Sequence, residues 1–442
     1  MSSTVNKFLI LFILFIIKNI TTLLVIPFDR ISDIFSNDDL EVAKNIFTNL
    51  IYCNISVGKP SQSIPFIISF DKEVTFISDE GISIPKFDPK KSETFKKLSD
   101  KYVNYKFENL KTGYNASESF QIMNENYNLV NIPNMPFIFC TKLEKRFNFS
   151  ASLGLKLKTY NNKNVFNFIE NLKSKNIINS EVFSFKFFDD GTGELLIGSF
   201  PHEYDNNYDS KDLLQSSSLE FGMSHNWFLR INSVFYGEKM ILGGEDELFE
   251  FSPEKGMIVL NKKMQNIIYE EFFRKFIDQK KCIKIKITNN YHNFVCEDTI
   301  DLSTFKPISF IHIGMEFNFK FEAKDLFYHY YDRYFFLVAF GDTKYIYLGK
   351  PFFKKYQLIF NQDSKQLSLY SKISNNNTRL NKIKNILPLI LIIILSLMIL
   401  YLGRKLYIYK VKKLKMNELI DNFDYNQDVE NKSKMLEMTA SH

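Results

Sequence analysis

Two short segments of the sequence share one pattern, in which a serine is followed by a variable residue, an acid and a lysine. They are Ser69-Phe70-Asp71-Lys72 and Ser252-Pro253-Glu254-Lys255. Two carboxyl groups that meet can share one proton and activate a water molecule, because like charges about 3 Å apart cannot both ionise. Asp71 and Glu254 could form such a pair. Alternatively, each acid pairs with its lysine on a solvated or structural loop, or the repeated pattern is chance.

Five further motifs surround these segments. They are the pattern tyrosine, x, x, hydrophobic, x, hydrophobic, glycine, x, proline, x, glutamine at 52–62, the turn F-x-P-x-x-S-x-T-F at 87–95, the Leu-Gly-Leu motif at 153–155, the strand GELLIG at 193–198 and the segment YLGKPFFKKYQLIFN at 347–361. At these spacings the motifs resemble those of pepsin-like aspartic peptidases. The resemblance runs from about Leu50 to Tyr370.

The resemblance implies an all-β dominated, bilobal fold with a cleft between the lobes, and catalysis by one aspartate from each lobe. Aligned on Gly58 and Gln62, the first aspartate position falls on Ser69, and the second falls on Ser252. Tyr105 corresponds to the tyrosine of the flap that covers the cleft. A serine hydroxyl does not titrate near neutral pH, so the loss of both acids removes the group that activates water.

We therefore expect an inactive relative of these peptidases that binds a peptide or protein partner in the cleft. One alternative is an active, divergent aspartic endopeptidase that uses Asp71 and Glu254, and a second is a structural surface glycoprotein. The histidines are scattered, and none lies in a motif that would place it beside Ser69 or Ser252. We expect no cofactor and no metal, since the sequence has no C-x-x-C motif.

Short β-strands bounded by turn residues dominate the predicted secondary structure. Strands are predicted at 64–68, 74–77, 182–188, 228–234 and 346–348, and helical spacing of apolar residues predicts helices at 165–173 and 264–276. By analogy with the family, Cys282 and Cys296 are expected to form a disulfide. Cys53 and Cys140 either pair or remain buried thiols.

The two ends of the chain predict a single-pass type I protein of the secretory pathway or cell surface. The predicted segments are a signal peptide at 1–22, a short prosegment or linker at 23–45, an N-terminal lobe at 46–189, a C-terminal lobe at 190–372, a stem at 373–385, a transmembrane helix at 386–402 and a cytoplasmic tail at 403–442. An uncleaved N-terminal anchor is the alternative to the signal peptide.

Lysine and arginine residues follow the apolar run at 386–402, which places the tail on the cytoplasmic side. Asn115, Asn148 and Asn376 lie in glycosylation sequons that would be lumenal.

The net charge of +6 is modest for 442 residues, and no basic stripe with interleaved aromatics is present, which argues against nucleic acid binding.

Overall fold

The computed structural model describes most of the chain between Leu23 and Thr439. The described residues are 23–30, 36–80, 85–99, 103–105, 110–143, 150–157, 167–217, 226–343, 345–372 and 380–439. Two compact units are present, one ending at Ser374 and one beginning at Asn375. Both serine segments lie in the first unit.

Fourteen described strands form the first sheet of this unit. Its strands in the first half of the chain are β1 (Leu24–Arg30), β2 (Ile51–Val57), β3 (Gln62–Ser69), β4 (Phe76–Ser78), β5 (Lys96–Lys97), β6 (Val103–Tyr105), β7 (Leu110–Asn124), β8 (Leu129–Leu143), β9 (Ala151–Gly154), β10 (Val182–Phe187), β11 (Gly193–Ile197) and β12 (Leu213–Ser217).

The second sheet has eleven described strands, which are β13 (Phe228–Tyr236), β14 (Lys239–Phe251), β15 (Ile258–Asn261), β16 (Cys282–Lys286), β17 (Tyr291–Glu297), β18 (Ile308–His312), β19 (Phe317–Phe321), β20 (Phe327–Tyr330), β21 (Arg333–Phe336), β22 (Val338–Gly341) and β23 (Ile346–Leu348). The chain then returns to the first sheet with β24 (Ile359–Asn361) and β25 (Gln366–Tyr370). Several strands within the predicted C-terminal lobe, 190–372, therefore pair in the first sheet.

Short helices connect these strands. They are α1 (Asp39–Phe47), α2 (Phe168–Ser174), α3 (Pro201–Tyr204), α4 (Lys262–Ile268), α5 (Arg274–Asp278), α6 (Ala323–Leu326) and α7 (Lys350–Lys355). A π-helical turn, Tyr269–Phe273, joins α4 to α5, so this helical segment covers the helix predicted at 264–276. The helix predicted at 165–173 is confirmed as α2, and each predicted strand overlaps an observed one.

The alternation of buried and exposed side chains along β2 shows why this segment forms a strand. Cys53, Ile55 and Val57 are buried and Asn54 between them is exposed, which is the period of two that a half-buried strand requires. The hairpin from β2 to β3 turns at Gly58, whose φ of +88° lies in the left-handed region that favours glycine.

The described parts of the segment predicted as a prosegment or linker, residues 23–30 and 36–45, are packed into the first unit. β1 pairs with β11 on one side, where Leu24 faces Ile197, and with β2 on the other, where Phe28 faces Cys53. Helix α1 follows, with Asp38 as its N-cap. Its buried side chains pack against residues that surround the second serine segment, namely Met257, Val259, Phe335 and Ala339. Cleavage of this segment stays a prediction.

The cysteines fall into one bonded pair and two free thiols. Cys282 and Cys296 lie opposite each other on β16 and β17 and form the expected disulfide. Cys53 and Cys140 are buried free thiols, so the structure selects the second of the two alternatives. They lie on β2 and β8, which do not pair with each other. The thiol of Cys140 lies within hydrogen-bonding distance of the carbonyl oxygens of Thr112 and Lys142.

Helix α8, Leu380–Thr439, makes up the described part of the second unit. Among the described residues, no helix combines the length and apolar character needed to cross a membrane. The transmembrane helix at 386–402 therefore stays a prediction from the sequence, without support from the structure.

Candidate functional site

The two serine segments occupy equivalent places in the fold. Ser69 ends β3 beside the parallel strand β9, where it is in register with Gly154. Ser252 follows β14, and its backbone N–H donates to the carbonyl oxygen of Leu348 on the parallel strand β23 over 3.1 Å. Gly349 comes next. Each serine thus lies at the end of a strand, next to a Leu-Gly pair, as the resemblance implies.

Glycine is required at both of these strand ends because the backbone of a loop passes close by. A Cβ on Gly154 would lie 2.7 Å from the carbonyl oxygen of Val74, and a Cβ on Gly349 would lie 2.1 Å from that of Met257. Both serines are consequently buried, with 6% of Ser69 and 1% of Ser252 exposed.

Glu254 connects the two segments. The hydroxyl of Ser69 donates to Oε1 of Glu254 over 2.9 Å, and the hydroxyl of Ser252 donates to Oε2 over 3.2 Å. The backbone N–H groups of Phe70 and Asp71 also donate to Oε1, the latter over 3.1 Å. One carboxyl group of the second segment therefore accepts four hydrogen bonds, three of them from the first segment.

The turn that positions Glu254 is held from behind by helix α1. The backbone N–H of Gly256 donates to the carbonyl oxygen of Phe47 over 3.0 Å. A Cβ on Gly256 would lie 1.7 Å from the carbonyl oxygen of Ile46, so only glycine fits there. The N–H of Lys255 closes the turn on the carbonyl oxygen of Ser252 over 3.0 Å.

The environment of Glu254 favours its protonated form. Burial raises its pKa to about 7, and the nearby negative charge of Asp71 acts in the same direction. The hydrogen bond from Ser69 and the charge of Lys255 oppose this rise without reversing it. Glu254 can therefore gain or lose a proton close to neutral pH.

Glu250 is a second acid of this kind on β14. It is 4% exposed, and the amide of Asn226 donates to its Oε1. Burial, with a smaller contribution from the charge of Asp71, raises the pKa of Glu250 to about 7. Nearby, the ammonium group of Lys255 lies 4.3 Å from the ring centre of Tyr347.

Asp71 lies close to both glutamates without forming the hypothesised carboxyl pair. It is exposed, and its contact with Glu254 is made by the backbone N–H. Within the described residues, its carboxyl group has no hydrogen bond to that of Glu254. The structure thus brings Asp71 and Glu254 together but leaves one carboxyl group, that of Glu254, between the two serines.

Other predicted site residues are placed only in part. Tyr105 ends β6, opposite Leu110 of β7, and its side chain lies outside the described residues, as do positions 106–109. Asn115 lies within β7, and Asn148 and Asn376 fall outside the described ranges.

A serine-histidine pair occurs elsewhere in the chain. Nε2 of His312 lies 3.0 Å from the hydroxyl of Ser216, while Nδ1 accepts the backbone N–H of Met315 over 3.0 Å. Since Nδ1 is the acceptor, a neutral imidazole carries its proton on Nε2 and donates it to Ser216. His312 is therefore not placed to act as a base. None of the described histidines contacts Ser69 or Ser252.

No metal site is evident in the ranges that the structure describes, where no three His, Cys, Asp or Glu side chains are grouped to hold an ion. Sequence reasoning did not identify Glu250 or Asn226 as neighbours of the site. The position of Glu250 on β14, two residues before the segment Ser252 to Lys255, was the available signal.

Comparisons with known proteins agree with this fold. The family model for eukaryotic aspartyl protease matches residues 50–372. Basic 7S globulin from soybean is similar in structure, with a TM-score of 0.57 and 12% identity over 80% of this chain and 96% of that one. Conglutin gamma, a basic 7S globulin from lupine seeds, gives a TM-score of 0.56 and 13% identity over the same shares of the two chains. No curated protein matches the sequence. The chain belongs to the eukaryotic aspartyl protease family.

Proposed function

We propose that this protein is a proteolytically inactive member of its family that binds a peptide segment of a partner in the cleft between its lobes. The observation that carries the proposal is the single carboxyl group of Glu254, which accepts hydrogen bonds from both Ser69 and Ser252. Aspartic peptidases need two carboxyl groups that share a proton, one of which deprotonates the attacking water. Here the side chains that bond to the carboxyl group are the hydroxyls of Ser69 and Ser252, which do not titrate in this range.

Inactivity is tested by incubating the full-length protein with a diverse peptide library between pH 3 and pH 7. We expect no cleavage above that of a Glu254→Ala variant. Cleavage that is inhibited by pepstatin and lost in that variant would overturn the proposal. It would favour an active, divergent endopeptidase that uses Asp71 and Glu254.

One observation favours that second function. Burial, and then the charge of Asp71, raises the pKa of both Glu254 and Glu250 to about 7. Acids with raised pKa values are frequent at catalytic sites. An Asp71→Asn variant separates the two functions. It would abolish cleavage by a pair formed by Asp71 and Glu254, and it would leave the fold intact.

Peptide binding is tested with an array of peptides probed by the full-length protein. Asp71 is an exposed residue of the first serine segment, so Asp71→Lys is expected to weaken binding of the peptides selected by the wild type. Asp298→Lys is the matched control, since Asp298 is exposed on the connection between β17 and β18. Equal binding by the wild type and both variants would contradict a peptide site in this cleft.

Membrane attachment through 386–402, with the lobes lumenal or extracellular, is the part of the proposal that rests on the sequence alone. Alkaline carbonate extraction of cell membranes tests it, since a spanning segment keeps the protein in the pellet. Release into the supernatant would contradict it.

A further inference from the structure

A cavity of about 340 Å³ lies behind the second serine segment, away from Ser69 and Glu254. Its wall includes Arg30 at the end of β1, Asn49 between α1 and β2, Gly256, and Lys350 at the start of α7. A volume of this size falls within the range of sites that hold small molecules.

Lys350 projects its charged group into surroundings that do not neutralise it. Its Nζ donates to Oδ1 of Asn49 over 3.2 Å. Among the described residues, neither Lys350 nor Arg30 forms an ion pair with a carboxyl group. Burial and then the positive charge of Arg30 lower the pKa of Lys350 to about 7. Arg30 lies near the carboxylate of Asp190, whereas Lys350 has no acid partner among the described residues, so a bound anion would stabilise the protonated form of Lys350.

The three acids of the cavity wall do not form ion pairs with Lys350. Asp325 pairs with Lys355. Asp190 accepts the backbone N–H and the hydroxyl of Thr192 over 2.9 and 2.7 Å, which lowers its pKa, with a smaller contribution from the charge of Arg30. Asp189, whose carbonyl oxygen accepts from Lys354, forms no ion pair with the two cations through its carboxyl group. A ligand can therefore supply the counter-charge that Lys350 lacks among the described residues.

The remaining wall of the cavity is largely apolar. It includes Phe187, Phe327 and Leu337, of which Phe327 is 8% exposed. A fully hydrated inorganic ion gains nothing from such a wall, whereas an acid attached to an apolar body buries that body there.

We propose that this cavity binds a small organic acid, whose carboxylate contacts Lys350 and Arg30 and whose apolar part packs against Phe187, Phe327 and Leu337. The proposal concerns a different place from the cleft and is independent of whether the protein cleaves peptides.

The test is titration of the full-length protein at pH 7 with phenylacetate, followed by calorimetry and by the thermal unfolding midpoint. Phenylacetamide, which has the same shape without the charge, and inorganic phosphate, which has the charge without the apolar body, are titrated in parallel. We expect saturable binding of phenylacetate, with affinity at least about tenfold higher than for either comparison compound.

Two variants identify the site. Lys350→Met keeps the aliphatic stem and removes the charge, so it is expected to weaken phenylacetate binding by about tenfold or more. Lys324→Met is the matched control, because Lys324 lies on the cavity wall but is already paired with Glu322 over 3.5 Å. Its affinity should match that of the wild type.

Three results would overturn the proposal. They are the absence of saturable binding, equal binding of phenylacetate by the wild type and by Lys350→Met, and tighter binding of phosphate than of phenylacetate. The last result would identify a simple oxyanion site. Circular dichroism of Lys350→Met confirms that a loss of binding does not reflect a loss of folding.

Discussion

Glu254→Gln should change the way in which the stability of this protein depends on pH. The pKa of Glu254 rises from an ordinary value of 4.5 to about 7 in the folded state. The folded protein therefore binds a proton more tightly than the unfolded chain does. Its contribution to stability is greatest below pH 4.5 and is lost as the pH rises through about 7.

The size of the effect follows from the shift in pKa. Each unit corresponds to about 1.4 kcal/mol, so the full shift of Glu254 amounts to at most about 3 kcal/mol between pH 4.5 and pH 7.5. Glutamine resembles the protonated acid and does not titrate. Its amide oxygen can still accept from Ser69 and from the backbone N–H groups of Phe70 and Asp71, so the variant should fold.

Urea unfolding followed by tryptophan fluorescence measures this difference. Trp227 is the one tryptophan of the sequence, it is fully buried, and its indole N–H donates to the carbonyl oxygen of Leu155 over 3.0 Å. Its signal therefore reports on the core beside the first serine segment. The free energy of unfolding of the wild type minus that of Glu254→Gln should fall steadily as the pH rises from 4.5 to 7.5.

A difference that stays flat or grows with pH would refute this reasoning. Growth would mean that the four hydrogen bonds to the carboxyl group outweigh its burial, so that the ionised form is the stable one. Glu322→Gln serves as the control, because ion pairs with Lys320 and Lys324 lower the pKa of Glu322. Its stabilising contribution is present above its ordinary pKa and is lost as the pH falls.

Three further predictions concern the free energy of unfolding. Gly256→Ala should lower the free energy of unfolding by about 3 kcal/mol, because its Cβ would overlap the carbonyl oxygen of Ile46. Gly403→Ala is the control, since its Cβ has no neighbour within 4 Å, and it should not lower the free energy of unfolding. Replacing both Cys282 and Cys296 by serine should lower it by about 3 kcal/mol, measured by urea unfolding, through loss of the loop constraint. The free energy of unfolding of the wild type should rise by up to about 1.4 kcal/mol per pH unit above pH 7, because the unfolded chain binds the proton of Lys350 more tightly than the folded protein does. This rise should be absent in Lys350→Met.

The sequence predicted a strand at 64–68, directly before Ser69, and the structure has β3 at Gln62–Ser69. The segment 248–256 was predicted as a loop, whereas its first residues belong to β14, Lys239–Phe251, and Ser252 follows that strand. The Leu-Gly pairs at 153–154 and 348–349 were also identified from the sequence motifs. Glycine is required in both pairs because the backbone of another segment lies too close for a Cβ atom.

The direction of the Glu254 side chain could not be predicted in this way. It depends on a turn fixed by contacts from distant parts of the chain, namely Ile46 and Phe47 of α1 against Gly256. The segment 23–45 was predicted as a short prosegment or linker, and the helix that begins within it, Asp39–Phe47, has a length at which most of the stability comes from tertiary packing. Lys350 and Arg30 were missed for a related reason, since they are 320 positions apart and meet only in the folded chain.

The geometry around Glu254 also explains how the fold tolerates serine at both positions. A loop built to hold a carboxyl group presents backbone N–H groups toward it, and these donors cost free energy when they are buried without an acceptor. The hydroxyl oxygen of Ser69 accepts the N–H of Asp71 over 3.2 Å, whereas the N–H of Phe70 donates to Glu254. Glu254 supplies an acceptor for both N–H groups from the other segment, so its carboxyl group holds the two segments together.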